Sequence, residues 1–269
     1  MKKIIVSCCA LLMLCVGFSA CGKAGGVPFV KKSARTVHVK STETQFVLPV
    51  DGDTVASIVT NLGTIKVILY PQYAPMAVEN FTGLAAQGYY NNVDFHRVLK
   101  DFLVQAGDAT GTGSGGASIW NNTPFSTEIT DKLHHYAGAL ALAHPVGDTA
   151  HNLSQFYIVQ SAQNSVDKTL AQTLTDGGMR AEVVDAYKQG GGAPYLDNLN
   201  TVFGQVYAGM DVVDAIGAAE CDGKDRPLEK IVIESITVAP YSAAAEAAES
   251  AAASAAASAS DSAQGGKQK

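Results

Sequence analysis

Among the side chains of this 269-residue sequence, Arg97 and Gln105 are the two whose types and spacing point most directly to chemistry. They sit in the apolar, strand-like runs Phe95-His96-Arg97-Val98 and Phe102-Leu103-Val104-Gln105-Ala106, on either side of the short polar break Leu99-Lys100-Asp101. The pattern predicts neighbouring antiparallel strands with Arg97 and Gln105 side by side on one sheet face. A charge held among apolar residues needs a partner or a task. A planar guanidinium oriented by the Gln105 side-chain carbonyl keeps another N–H as a fixed donor, which a lysine's rotatable point charge does poorly.

The elements that would position the pair read as a mainly β domain. Ile58-Val59-Thr60, the turn Asn61-Leu62-Gly63 and Thr64 to Leu69 read as a hairpin, and further strands are predicted over residues 94–98, 102–106, 138–143, 155–159, 201–206 and 230–238. A helix follows the hairpin, with Pro75 at its first position, Val78, Phe81, Leu84 and Ala85 at helical spacing, and Gly88 as its stop. A second, short helix is predicted over residues 210–216. Many strands and two well-separated helices imply a closed or nearly closed β-barrel with helical covers.

With 47% hydrophobic residues the chain can bury a full core, and the flanks of that core are compositionally distinct. Residues 1–20 carry Lys2 and Lys3, an uncharged apolar stretch from Ile4 to Gly17, and Phe18-Ser19-Ala20 before Cys21: a secretory signal too short to span a bilayer comfortably. Small residues before a cysteine resemble a bacterial lipobox, so Cys21 is expected to become a lipidated N-terminus; an ordinary cleaved signal leaving a free Cys21 thiol is the alternative. Lipidation leaves Cys221 as the single thiol, with neither a disulfide nor a CxxC site. Losing Lys2 and Lys3 takes the formal net charge from -6 to -8, a poor basis for binding nucleic acid or anionic lipid headgroups. Residues 21–51 read as a flexible tether, 52–240 as the folded domain, and the Ala/Ser-rich 241–269 as a disordered tail with transient helicity.

Within the domain, Phe95-His96-Arg97-Val98, Phe102 to Asp108, Gly111 to Gly116, Ser154-Gln155-Phe156-Tyr157-Ile158, Leu196-Asp197 and Val202-Phe203-Gly204-Gln205-Val206 occur in the order seen in cyclophilins, and the resemblance covers about Ile58 to Val238. Ala74 to Phe81 and Gly209 to Val213 also look like that family. The resemblance implies an eight-stranded antiparallel β-barrel capped by two α-helices, peptidyl-prolyl cis/trans isomerase activity and no cofactor. It further implies that Phe102, Leu103, Tyr157 and Leu196 form an apolar slot for the substrate proline, with Ala143 and the backbone around His144 binding the chain beside it. The chemistry suits Arg97. Rotation about an X-Pro bond must lose amide resonance against a barrier of ~18–20 kcal/mol, and the twisted prolyl nitrogen regains a lone pair that a fixed donor can stabilise.

Each of these residues has a plainer reading. Phe102, Leu103 and Leu196 are ordinary core types, and Arg97 could serve a buried ion pair, although the motif beside it offers Gln105 rather than a carboxylate. Gly111 to Gly116 matches GxGxxG, yet no βαβ unit surrounds it, so a flexible rim of a peptide groove is the better reading. His134 and His135 tempt one toward metal, but neighbours on a strand point to opposite faces, so no metal site is expected. His96 is read as a structural hydrogen-bonding residue, and Ser154 lacks a nucleophile elbow.

Departures from the family pattern matter as well. Tyr195 stands where tryptophan or histidine is common and Asn200 where histidine or tyrosine is common; Tyr157 replaces a phenylalanine and Leu103 a methionine. Apolar bulk survives at 157 and 103. Asn200 removes an aromatic wall, and Tyr195 implies weak cyclosporin binding. The link 160–194 is long for a compact cyclophilin and carries an amphipathic helix pattern over Met179 to Lys188 before Gly190-Gly191-Gly192. The whole reads as a monomeric, lipid-anchored, extracytoplasmic isomerase acting on proline-containing exported polypeptides. A proline-segment binding module or holdase with little turnover is the alternative, and a surface adhesin or scaffold a third.

Overall fold

The computed structural model describes residues 39–252, all within the second of two compact units, Ser33–Lys269. The signal sequence, Cys21 and the tail from residue 253 lie outside the described residues. Nine strands form one sheet: β1 (Thr54–Thr60), β2 (Gly63–Leu69), β3 (Val93–Asp94), β4 (Arg97–Leu99), β5 (Leu103–Ala106), β6 (Ala139–Leu142), β7 (Phe156–Val159), β8 (Val202–Ala208) and β9 (Val232–Pro240). Their order is β3-β9-β1-β2-β8-β6-β7-β5-β4, every pairing antiparallel.

The first hairpin forms as the alternation predicts. Ala56 pairs with Val67 and Ile58 with Ile65, all four fully buried, while Thr60 faces Gly63 across a two-residue turn. The Thr60 hydroxyl donates to the Gly63 carbonyl at 2.7 Å and accepts the Leu62 N–H at 3.1 Å. The expected strand over 94–98 is two strands instead, which raises the count from eight to nine. Phe95 N–H donates to Ile231 O, whereas Val98 N–H donates to Asp225 O, so the chain leaves β9 at Phe95-His96 and starts a new edge at Arg97. Because β3 and β4 end the sheet on opposite sides yet are joined by only Phe95-His96, the sheet must curl until its edges nearly meet.

Inside the curl, Phe81 on α1 (Pro75–Ala86) packs against Tyr90, Phe156 and Phe203 at ring distances of 5.3, 5.6 and 5.4 Å. Pro75 opens α1, as read from the sequence, and Val213 and Ile216 of α4 (Met210–Gly217) complete the cover. Strand alternation sends Val98, Val104, Leu140 and Ile158 into this interior cluster and their neighbours Leu103, Ala139, Ala141, Tyr157 and Val159 into a second cluster on the other face. That second face carries the candidate site.

Two more helices occupy the link 160–194: α2 (Lys168–Asp176) and α3 (Ala181–Gly190). α3 matches the amphipathic pattern, displaced by two residues. α2 was not expected, because only Leu170, Ala171 and Leu174 mark its apolar side; the Asp167 carboxylate caps it by accepting the Leu170 N–H at 2.8 Å. From Val39 onward, the segment read as tether packs on this pair. Phe46 meets Tyr136 at 4.8 Å, Gln45 is buried between His134 and Gln205, and Arg180 holds Glu43 by two hydrogen bonds. Beyond β9, residues 243–252 are helical, and Lys66 binds Glu246 and Glu249 of that turn at 2.9 and 2.6 Å. No helix among the described residues is long and apolar enough to cross a membrane.

Candidate active site

Register brings the first pair of candidates together. Arg97 lies opposite Gln105, Gln105 opposite Tyr157, and Tyr157 opposite Ala141, so the four form one row across β4, β5, β7 and β6. Directly opposed residues of antiparallel strands share a face. The expectation that Gln105 orients Arg97 meets a different set of bonds. The Gln105 amide donates to Gln155 Oε1 at 2.8 Å, and the Arg97 Nε lies 3.6 Å from Asp225 Oδ2. Asp225 belongs to the loop before β9, too far along the chain for spacing to reveal. With both side chains about half exposed, this ion pair contributes ~0–1 kcal/mol and leaves the guanidinium free to turn toward a ligand.

Beside the row, the apolar candidates share one cluster. Leu103 and Tyr157 are buried in it, and Phe102, Leu196 and Ala143 pack against it partly exposed. Tyr195, 61% exposed, leans on Phe102 with ring centroids 5.7 Å apart and 44° between planes. Phe102 and Leu196 are therefore not plain core: each keeps a surface toward solvent above the buried Leu103 and Tyr157. A half-covered apolar slot of this kind suits a small ring such as proline.

A cavity of about 350 Å³ continues the slot along Gln105, Gln155, Ala143, His144 and the Gly113–Gly115 backbone. Its loop wall is pinned by Asp108, whose carboxylate accepts from the N–H groups of Thr110, Gly113 and Gly115 and from the hydroxyls of Thr110 and Thr112. Although burial opposes its ionisation, the hydrogen bonds from Thr110, Gly115 and Gly113 hold the Asp108 carboxyl well below the ordinary carboxylate range. The loop's amides already point at an anion within the chain, so the GxGxxG match is a carboxylate nest rather than a phosphate cradle. Gly115 is required here, since a Cβ at this position would collide with Asp108. Gln155 completes the wall by donating to Gly113 O at 3.1 Å and Gly115 O at 2.7 Å, so it links the loop to Gln105. It was overlooked as a site residue, although it stands inside the quoted Ser154-Gln155-Phe156 motif.

His144 lines the far end of this cavity, whereas Asn200 lies outside its lining. His144 Nε2 is 3.0 Å from Leu199 O and the Asn200 amide donates to Leu142 O at 3.1 Å, so both tie the end of β6 to the loop after Leu196. Asn200 thus serves as a strap where an aromatic wall was missing. His134 and His135 do not diverge as strand neighbours would, because they precede β6. Both Nδ1 atoms lie 2.9 Å from the Asp197 carboxylate. No group of three or more His, Cys, Asp or Glu among the described residues is placed to hold a metal ion. His96 is buried next to Gly113, where burial pushes its pKa down.

Comparison with known proteins covers the same region. The family described as cyclophilin type peptidyl-prolyl cis-trans isomerase/CLD matches residues 55–238. A Staphylococcus saprophyticus protein whose description names a peptidyl-prolyl cis-trans isomerase is 44% identical over 179 residues, which are 66% of this chain and 88% of that one. A Streptococcus pyogenes protein described as a bifunctional phosphatase/peptidyl-prolyl cis-trans isomerase is 41% identical over 184 residues, 68% of this chain but 38% of its own length. Among solved structures, a Cryptosporidium parvum cyclophilin type isomerase aligns with TM-score 0.57 and 28% identity, over 71% of this chain and 99% of its own. The same protein in the presence of the dipeptide Ala-Pro aligns with TM-score 0.56 and 29% identity, over 70% and 99%.

Proposed function

This chain belongs to the cyclophilin-type peptidyl-prolyl cis-trans isomerases, and on that premise we propose that Arg97 is the group that accelerates rotation of the X-Pro bond. The substrates are proline-containing polypeptides. The observation that carries the proposal is the row Arg97–Gln105–Tyr157 running directly along the apolar slot.

A prolyl ring seated between Phe102, Leu103, Tyr157 and Leu196 places its nitrogen near the sheet face that bears Arg97. In the planar ground state that nitrogen's electrons are delocalised into the amide. As the bond twists they localise, and a guanidinium N–H directed at them interacts more strongly with the transition state than with either isomer. Lowering the barrier by about 7 kcal/mol corresponds to roughly a 10⁵-fold acceleration. No bond is broken and no proton need be transferred. Gln105 and Gln155, chained to the Gly113–Gly115 backbone, keep the polar side of the groove in place while the substrate chain runs past Ala143 and His144.

The experiment is cis/trans exchange in an Xaa-Pro peptide, with the wild type compared with Arg97→Ala and Phe102→Ala. Arg97→Ala is expected to slow exchange with little change in KM, and Phe102→Ala to raise KM. We further propose that the protein acts as a monomer on exported polypeptides at the extracytoplasmic face of a membrane, held by a lipid on Cys21. The support is the order Lys2-Lys3, apolar stretch, Ser19-Ala20-Cys21, together with about 0.8 kcal/mol of anchoring per buried acyl methylene.

A further inference from the structure

Tyr157 forms the floor of the slot and is 3% exposed, so its hydroxyl has to find a partner inside the protein. That partner is His135 Nε2 at 3.0 Å, on a ring stacked against Tyr157 at 6.1 Å and 18°. His135 Nδ1 in turn lies 2.9 Å from Asp197 Oδ1, which also accepts the His135 backbone N–H at 2.9 Å. The other carboxylate oxygen, Oδ2, accepts the Tyr187 hydroxyl of α3 at 2.8 Å and lies 2.9 Å from His134 Nδ1.

The direction of each bond follows from the acceptors. Although burial opposes its ionisation, Asp197 stays charged, held below the ordinary carboxylate range by His134 and His135. An ionised carboxylate can only accept, so His135 carries its proton on Nδ1. Burial keeps the His135 ring neutral, leaving Nε2 as a bare lone pair that must receive the Tyr157 O–H. Asp197 directly follows Leu196, the opposite wall of the slot, in the single turn Pro194–Leu196. Floor and wall are thereby fixed to one carboxylate, which is itself held from behind by a helix of the link 160–194. Two departures from the family pattern, the hydroxyl at 157 and the long link, meet at this carboxylate.

We propose that Tyr157, His135, Asp197 and Tyr187 form a buried hydrogen-bonded chain through which α3 sets the shape of the prolyl slot, making Tyr187 a positioning residue that never touches the substrate. This rests on the reading of Phe102, Leu103, Tyr157 and Leu196 as that slot. Tyr187 is fully buried against Tyr136 in the core around α2 and α3, so losing its hydroxyl leaves the packing in place while removing the bond that ties Asp197, and with it Leu196, to α3; the two histidines still hold the carboxylate from the other side.

The test measures KM and kcat separately, by exchange over a range of Xaa-Pro peptide concentrations, for Tyr187→Phe, Tyr157→Phe, the double variant and Phe102→Ala. Each tyrosine variant is expected to raise KM about five-fold, with kcat within about twofold of wild type: Tyr157→Phe loses a neutral hydrogen bond in the slot floor, and Tyr187→Phe a charge-assisted one that reaches the slot only indirectly. The double variant is expected to fall short of the product of the singles, because both hydroxyls act through Asp197. A merely structural role would lower the folded fraction, and so the apparent kcat, without moving KM. An unchanged KM for Tyr187→Phe, or a double variant equal to the product, overturns the proposal while a raised KM for Phe102→Ala leaves the slot standing. An unchanged KM for Phe102→Ala overturns both. Should Tyr157→Phe not fold, Tyr187→Phe decides alone.

Discussion

At Arg97 the proposed chemistry would draw on a charge that is only loosely held: its one ion-pair partner among the described residues, Asp225, is 3.6 Å away and half exposed. A guanidinium tied into a tight bidentate pair would have to break it in order to face the substrate, whereas this one can turn at little cost. Arg97→Ala is therefore expected to reduce kcat/KM by about 10²–10³-fold, the usual effect of deleting a transition-state donor, while stability changes by less than about 1 kcal/mol. Arg97→Lys should recover little of the rate, because the charge remains but the fork does not. Arg97 and Gln105 were legible because polar side chains are unusual in such apolar strands, whereas the apolar residues, ordinary core types by themselves, were legible only through the resemblance to cyclophilins. Asp225 and the His135–Asp197 contact were not, since they join segments distant in sequence and no local pattern signals them.

Among the elements, the loop from Asp108 to Gly116 shows what a motif alone leaves open. Its glycines match a phosphate-loop pattern, although the missing βαβ unit already favoured a groove rim, and the deciding residue is the acid before them, which occupies the amides. Asp108→Asn replaces a charge-assisted acceptor and is expected to cost on the order of 2 kcal/mol at neutral pH. Because the folded carboxyl is depressed, its contribution is fully present above the ordinary pKa of about 3.9 and is lost as pH falls toward the folded value. Urea unfolding of wild type and variant should therefore differ clearly at pH 7 and converge progressively below pH 4. A constant difference across that range would place the effect in packing instead. The strands were legible through alternation, and their one misreading, 94–98, came from Phe95-His96 continuing an apolar run through the point where the chain changes sheet edge. Helix α2 escaped notice for the opposite reason: its apolar side is periodic but consists of only three small or aliphatic residues in a nine-residue, mostly polar segment, too little to stand out from a loop.

For the molecule as a whole, the curled sheet has two apolar faces, an interior that holds the fold together and an outer patch that is the proposed substrate site. The link 160–194 and the segment from Val39 form a third small core around Tyr136 and Tyr187, with the prolyl slot at its border. The proposed lipid on Cys21 would set where this machinery operates. Cys21→Ser should move the protein from the membrane to the soluble fraction without changing peptide exchange, and retention in the membrane would refute the anchor. The central claim concerns the arginine. The direct measurement is NMR exchange of an Xaa-Pro peptide at equal concentrations of wild type and Arg97→Ala. Rapid catalysed exchange with the wild type and its near-complete loss in the variant, with peptide binding retained, is the predicted result. Equal exchange rates for the two proteins would contradict the account.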